Sequence, residues 1–355
     1  MDSKLHKKLS ERHEKGTLRS LSSFEGLVDF YSNDYLGWTQ EPISFIGNSG
    51  ATGSRLISGN SKVAEESEAE IAKYFNSESA LMFSSGYDAN IGFFSAVPQK
   101  DDTILYDSEI HASVRDGIRM GIANSFSFRH NNLQHLEEKL SKTTSGAIYV
   151  AVESLYSMNG DTAPLNELVS LCERYSAYLI VDEAHAGGVL GEQGKGLGFE
   201  FSNRIFARVI TFGKAYGSHG ACVLSNSDLR DYLVNFARSF IYTTALPNYV
   251  FSHNAAIVSN DENLSRMEML QENLKYFRES MFGDSLPSDT RSPIQIVPVG
   301  SINETKRLAE RIISSGISVK PIFSPTVPEG KECIRICIHA FNTKEEMDRL
   351  IKVLS

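Results

Sequence analysis

AYLIVDEAH, residues 177–185, is a run of apolar residues that ends in a carboxylate, Asp182, and an imidazole, His185. Continuous apolarity, rather than alternation, suits a strand buried on both faces of a mostly parallel sheet. The same texture recurs in SALMFSS (79–85), DTILYD (102–107), AIYVAVE (147–153), RVITFGK (208–214) and ACVLS (221–225). Between such runs, LNELVSLCERYSA spaces Leu165, Leu168, Cys172 and Tyr175 near the helical repeat and reads as a crossover helix. The alternation predicts an α/β domain with helices on both faces of the sheet.

The texture changes near residue 250. A polar helical stretch, NLSRMEMLQENLKYFRESM, leads to a loop rich in Ser, Pro and Asp (284–293). Then come IQIVPVG, a helix in NETKRLAERIISSG and a strand in ECIRICIHA. The closing helix opens on a capping box, Thr343 with Glu346, and carries Met347, Leu350, Ile351 and Leu354 on one face. We therefore expect an N-terminal segment (1–45), a large α/β domain (46–245) and a small α+β domain (246–355).

The 355 residues are 41% hydrophobic and 22% charged, with a formal net charge of −9, which argues against a nucleic-acid coat or a membrane-surface protein. The four cysteines, Cys172, Cys222, Cys333 and Cys337, form no C-x-x-C pair, so neither a zinc site nor a disulfide framework is expected. The N-terminal MDSKLHKKLSERHEKGTLRS is basic but lacks an apolar core, and its Asp2, Glu11 and Glu14 do not suit a mitochondrial presequence. No apolar run approaches the roughly 20 residues of a membrane span. A cytoplasmic location is the expectation.

Ligands of open α/β sheets bind at the carboxyl ends of the strands. Polar residues collect there: Gly86 and Tyr87 after the first run, Glu153 with Ser157 after the third, then Asp182 and His185, then Thr211 and Lys214. Neither a G-x-x-x-x-G-K-[ST] loop nor a G-x-G-x-x-G turn occurs at a strand–helix junction. Taken singly, each residue has an ordinary reading as a cap, a turn residue or a solvated cation. Together they match pyridoxal phosphate, which needs a lysine for its Schiff base and a carboxylate to keep its ring nitrogen protonated. Lys214 and Asp182 suit those roles, and small groups and hydroxyls at Gly86, Tyr87, Ser157 and Thr211 suit its phosphate.

At this point several motifs resemble one family. SNDYLG (32–37), GATGSRLISGN (50–60), SSGYDAN (84–90), HASVRDGIR (111–119), SMNGDTAPL (157–165), VDEAHAGGVLGEQGKG (181–196), TFGK (211–214) and PTVPEGKECIRI (325–336) are similar to the α-oxoamine synthases. The resemblance runs from about residue 5 to the C-terminus. It implies fold type I of the pyridoxal-phosphate enzymes: a mostly parallel seven-stranded central sheet flanked by helices, plus a smaller α+β C-terminal domain. By the same resemblance Lys214 holds the cofactor and moves the α-proton, Asp182 pairs with the ring nitrogen, His185 with the phenolic oxygen, and His111 stacks on the ring. Ser157 and Thr211 fall on the phosphate side, and Glu153 near the cofactor. Arg335 grips the amino-acid carboxylate, Asn33 helps to position it, and Thr326 and Arg19 match further substrate contacts. For Arg335 the ordinary reading is a surface cation on an apolar strand; for Arg19 it is a solvated helix. Thr243 and Thr244, in YTTALP (242–247), imply a loop that reaches a neighbouring subunit's phosphate, hence a homodimer with shared sites.

The implied reaction is a decarboxylative condensation of an amino acid with an acyl thioester, carried by CoA or by a carrier protein. TFGK, SMNGDTAPL and YTTALP favour the biotin-pathway branch, with L-alanine as the amino acid; the rival branch uses glycine and acetyl-CoA. A non-catalytic ligand-binding protein is the rival of another class. Two features depart from the pattern: a short segment between Trp38 and Gly50, and His219 at a position that is often small or apolar in the biotin-pathway branch.

Overall fold

A computed structural model describes the chain except residues 1–2, 15–16, 20, 22, 43–48, 282–285 and 325. Most of the short segment before Gly50, and Pro325 of PTVP, therefore lie outside the described residues. The strands of the large sheet are β2 (Ser79–Phe83), β3 (Thr103–Asp107), β4 (Asn124–Phe128), β5 (Ile148–Glu153), β6 (Tyr178–Asp182), β7 (Ala207–Thr211) and β8 (Ala221–Ser225). Their order is β2-β8-β7-β6-β5-β3-β4. Every pair is parallel except those of β8, which runs antiparallel to both neighbours. The fold is the mostly parallel α/β sheet that the apolar runs foretell.

Period-two alternation explains why these strands are apolar throughout. Ile104, Ala151 and Ile180 pack with Phe93, Phe94, Val114 and Ile118, which lie on α3 (Gly86–Ala96) and α4 (Ala112–Met120). Their neighbours Leu105, Val150, Val152, Leu179 and Val181 pack instead with Leu136, Leu140, Leu168 and Cys172, on α5 (Leu133–Leu140) and α6 (Leu165–Arg174). Each such side chain contributes on the order of 2 kcal/mol by leaving water. β4 escaped the apolar signal because it is an edge strand, and its residues Asn124–Ser127 are exposed or half-buried. The observed strands β2, β6 and β7 also end before Ser84, Glu183 and Phe212, so the polar tails of the runs form the loops above the sheet.

The C-terminal part is a three-stranded antiparallel sheet, β11-β12-β9, made of β9 (Ile294–Pro298), β11 (Lys320–Ile322) and β12 (Cys333–Cys337). The helices here are α10 (Glu262–Met281), α11 (Ile302–Ser314) and α12 (Lys344–Leu354); α12 has the expected capping box, and Met347 and Leu350 are buried. A short strand β1 (Val28–Asp29) pairs in parallel with β10 (Ile317–Ser318). The chain after β1 stays attached to this sheet: Cys337 N donates to Phe30 O at 2.9 Å and Ala340 N to Tyr35 O at 2.9 Å. All four cysteines are buried and free. Among the described residues no cluster of His, Cys, Asp and Glu could hold a metal, and no helix is long and apolar enough to cross a membrane.

Candidate active site

Glu153 and Asp182 close neighbouring parallel strands in register, and Thr211 closes β7. Lys214 lies just beyond, on the β7–β8 connection. Phe212 pins that connection, donating through its N–H to Gly220 O and accepting from Ser218 N, both at 2.9 Å. Lys214 Nζ is 2.8 Å from His185 Nε2, and His185 Nδ1 is 2.8 Å from the Tyr35 hydroxyl. Asp182 is held by Asn90 Nδ2, which donates to Oδ2 at 2.8 Å, and by Ala184 N, which donates to Oδ1 at 3.0 Å. Asn90 also donates to Ser113 Oγ at 2.9 Å, and that hydroxyl lies 2.7 Å from His111 Nδ1. His111 is the N-cap of α4 and its residue is exposed.

Arg335, from β12, completes the opposite wall and is only 6% exposed, so the surface-cation reading fails. Its Nε donates to Ser157 O at 2.9 Å, Nη2 to Asn33 Oδ1 at 3.0 Å, and Nη1 contacts Cys337 Sγ at 3.0 Å. All three partners are neutral. A buried guanidinium held only by neutral acceptors is ready for an anion such as a carboxylate. Ser157 thus meets Arg335 through its carbonyl, while its N–H donates to Glu153 Oε2 at 3.3 Å.

Three buried oxygens in this cleft lack a protein partner, Thr211 Oγ1, Glu153 Oε1 and Asn90 Oδ1. Such groups are rare in native interiors and call for a ligand atom. Thr211 Oγ1 faces the start of α3, where a Cβ built on Gly86 would sit 2.6 Å from it. A helix N-terminus beside an unpaired hydroxyl, with space left by a missing Cβ, fits a phosphate group. Asp182 fits a protonated ring nitrogen and Lys214 an aldehyde, so the residues present suit pyridoxal phosphate. Tyr87, beside Gly86, is 43% exposed and its hydroxyl donates to Asp116.

Charges in the cleft shift one another. Burial lowers the Lys214 ammonium to about 8; Asp182 and Glu153 oppose the shift and Arg335 adds to it. Burial and the adjacent Asp182 raise the Glu153 carboxyl to about 8, so it is protonated near neutrality. Burial, then Lys214, Arg335 and His111, drives His185 well below its usual range and keeps it neutral. His111 is exposed as a residue, yet partial desolvation of its ring lowers it, with Lys214 adding to the shift and Asp182 opposing it.

The other expected residues lie further out. Arg19 and Thr326 line one groove of about 800 Å³ with Leu18, Phe24, Tyr31 and Met158. Arg19 is exposed, as the ordinary solvated reading expects, but lies outside a helix. Met158 follows Ser157, and the groove's Lys320 pairs across the ladder with Arg335, so this groove adjoins the cleft. Thr243 is half-buried and Thr244 exposed, on a loop tied to the 50–60 segment by Ala245 N donating to Gly53 O at 3.0 Å. His219 is exposed, and its carbonyl accepts from Asn254 Nδ2 at 2.9 Å.

Sequence reasoning missed Tyr35 and Asn90, although both stand inside motifs it used. It also missed a clamp between segments that carry site residues. His130 lies between Asp107 Oδ1, 2.9 Å from Nδ1, and Asp161 Oδ2, 2.7 Å from Nε2. Burial pulls the imidazole down, but the bonds and charges of the two carboxylates outweigh it and hold it up at about 10. The clamp joins the loop carrying His111 to the loop carrying Ser157.

Residues 25–354 match the family model of class I and II aminotransferases. The chain is 38% identical to the 8-amino-7-oxononanoate synthase of Emericella nidulans, over 99% of this chain and 94% of that protein. It resembles a structure of SPT with a PLP internal aldimine at TM-score 0.88 and 26% identity, covering 99% of this chain and 96% of the other. The 8-amino-7-oxononanoate synthase of Francisella tularensis aligns at TM-score 0.77 and 28% identity, covering 93% of this chain and 97% of the other.

Proposed function

The chain belongs to the class I and II aminotransferase family, and on that premise we propose that it is a pyridoxal-phosphate-dependent acyltransferase, an 8-amino-7-oxononanoate synthase of biotin synthesis. Its substrates in this reading are L-alanine and a pimeloyl thioester of CoA or of a carrier protein. A carbon–carbon bond forms between the alanine α-carbon and the acyl carbonyl; the alanine carboxylate leaves as CO2 and the thiolate leaves with a proton. The observation that carries the reading is Arg335, buried among neutral acceptors and linked through Asn33, Tyr35 and His185 to Lys214.

The cofactor, when bound, supplies the carbonyl that receives the substrate amine and the ring that draws charge from the α-carbon. The chain supplies placement and protons. Asp182, oriented by Asn90, offers its charge to the ring nitrogen. Thr211 and the N-terminus of α3 hold the phosphate. Arg335, steadied by Asn33, binds the amino-acid carboxylate and so fixes which bond at the α-carbon faces Lys214. Lys214, with its ammonium lowered to about 8, takes and returns the α-proton near neutral pH. With the cofactor in place, His185 would meet its phenolic oxygen, His111 would cover its ring, and Glu153 and Ser157 would lie beside it. The groove lined by Arg19 and Thr326 receives the acyl chain.

The working unit in this reading is a cytoplasmic homodimer in which Thr243 and Thr244 reach the partner's phosphate. Leu56 is 52%, Ile57 85% and Tyr242 72% exposed on the two tied loops, which is apolar surface that a second copy would cover.

The test is thiol release with alanine and glycine against pimeloyl and acetyl thioesters, beside a visible spectrum. We expect a yellow protein whose band vanishes in Lys214→Ala, and release with alanine and pimeloyl thioester. Release with glycine and acetyl-CoA alone would move the protein to the glycine-using branch. A colourless protein that ignores added cofactor would overturn the catalytic reading.

A further inference from the structure

We propose that Tyr35 is a positioning residue that sets the tautomer of His185 and couples it to the Arg335 carboxylate grip. The inference rests on the reading above, in which His185 faces the phenolic oxygen of the cofactor. Its basis is one unbroken polar chain. Lys214 Nζ lies 2.8 Å from His185 Nε2, His185 Nδ1 lies 2.8 Å from Tyr35 Oη, Tyr35 Oη lies 3.1 Å from Asn33 Oδ1, and Asn33 Oδ1 accepts from Arg335 Nη2 at 3.0 Å.

Proton counting along this chain leaves two arrangements. Arginine only donates and the amide oxygen only accepts, so the outer link is fixed. Tyr35 has one hydrogen. If it points to Asn33, the tyrosine oxygen must accept from His185 Nδ1–H. Nε2 then holds a lone pair and accepts from Lys214. If the hydrogen turns to Nδ1 instead, the neutral imidazole carries its proton on Nε2 and can donate to an anionic oxygen. His185 is 5% exposed and Tyr35 is fully buried, so water does not satisfy either end.

The first arrangement suits the chain with Lys214 free, and the second suits a phenolate facing Nε2. Loading the cofactor therefore rotates the Tyr35 hydroxyl and moves one proton across the imidazole. Asn33 loses the Tyr35 donor at the same moment and keeps Arg335 and the longer contact from the Cys337 thiol at 4.0 Å. No oxidant or additional reactant is involved: the proton leaves Nδ1 and an equivalent one is held on Nε2.

The experiment follows the ring nitrogens of His185 in the full-length protein labelled with 15N-histidine, before and after adding pyridoxal 5′-phosphate, with His185→Gln to assign the signals. In the wild type we expect Nδ1–H without cofactor and Nε2–H with it. Tyr35→Phe removes the hydroxyl but keeps the ring, and should abolish that exchange and weaken cofactor binding about tenfold, the scale of one lost hydrogen bond to a buried group. Asn33→Asp, which holds the Tyr35 hydrogen more strongly, should keep Nδ1–H even with cofactor present. A Tyr35→Phe protein that exchanges tautomer as the wild type does would overturn the inference, as would an Asn33→Asp protein that reaches Nε2–H normally. A wild type in which cofactor leaves both spectrum and His185 unchanged would instead overturn the reading of the site.

Discussion

The His130 clamp makes a quantitative prediction. Replacing His130 with Gln removes the cation between Asp107 and Asp161 and leaves those carboxylates facing each other. The imidazole moves from 6.5 in an unfolded chain to about 10 in the folded one. At about 1.4 kcal/mol per unit, the clamp stabilises the fold by at most about 5 kcal/mol. The His130 side chain is 19% exposed and that of Asp161 29%, so solvent reduces this; about 3 kcal/mol is expected, at the lower end for a broken buried pair. Because the folded value is raised, the stabilisation is full below pH 6.5 and is lost as pH climbs through about 10. Urea unfolding of wild type and His130→Gln at pH 6, 8 and 10, both with cofactor, measures it. The difference between the two proteins cancels other titrating groups, Lys214 and Glu153 included. It should be largest at pH 6 and shrink steadily to pH 10. A difference that stays constant over that range would refute a charged clamp.

Three further outcomes are expected. Arg335→Lys keeps the charge but loses the fork, so the amino-acid KM should rise roughly 30-fold or more with kcat changed less, the low end of a truncated buried charge contact; steady-state kinetics at saturating thioester checks it. Gly86→Ala places a methyl against Thr211 Oγ1, and cofactor affinity measured by absorbance should fall about 10- to 100-fold, the range of an overpacked site. In apoprotein, the rate of colour development with pyridoxal phosphate should climb with pH through about 8 and then level, because only the neutral Lys214 amine attacks the aldehyde.

The central sheet was legible because strands buried on both faces are mostly apolar. IYVAV, inside the buried strand β5, shows this, whereas the NSFSF strand at the edge does not. The ends of the runs were legible for the same reason: Asp182 and Lys214 stand where apolarity stops. Tyr35 was not. Its letters predict a buried aromatic, and nothing local says that its hydroxyl will meet an imidazole 150 residues away. Asn90 was hidden differently, as a polar residue one turn into a helix whose partner, Asp182, is set by how α3 crosses the sheet. The His130 clamp depends on three loops converging, which no spacing along one of them encodes.

The attachment of residues 28–36 to the C-terminal sheet has a consequence for biogenesis. Asn33 and Tyr35 leave the ribosome early, yet the atoms that seat them belong to β10, β12 and the residues just after β12. At 5–20 residues per second, roughly 300 residues of synthesis separate the two, a wait of about 15–60 s. Over that interval the large sheet can close while the substrate half of the cleft has no floor. A nascent chain can thus acquire a cofactor pocket before it can hold an amino acid, and the last strands made decide when turnover begins.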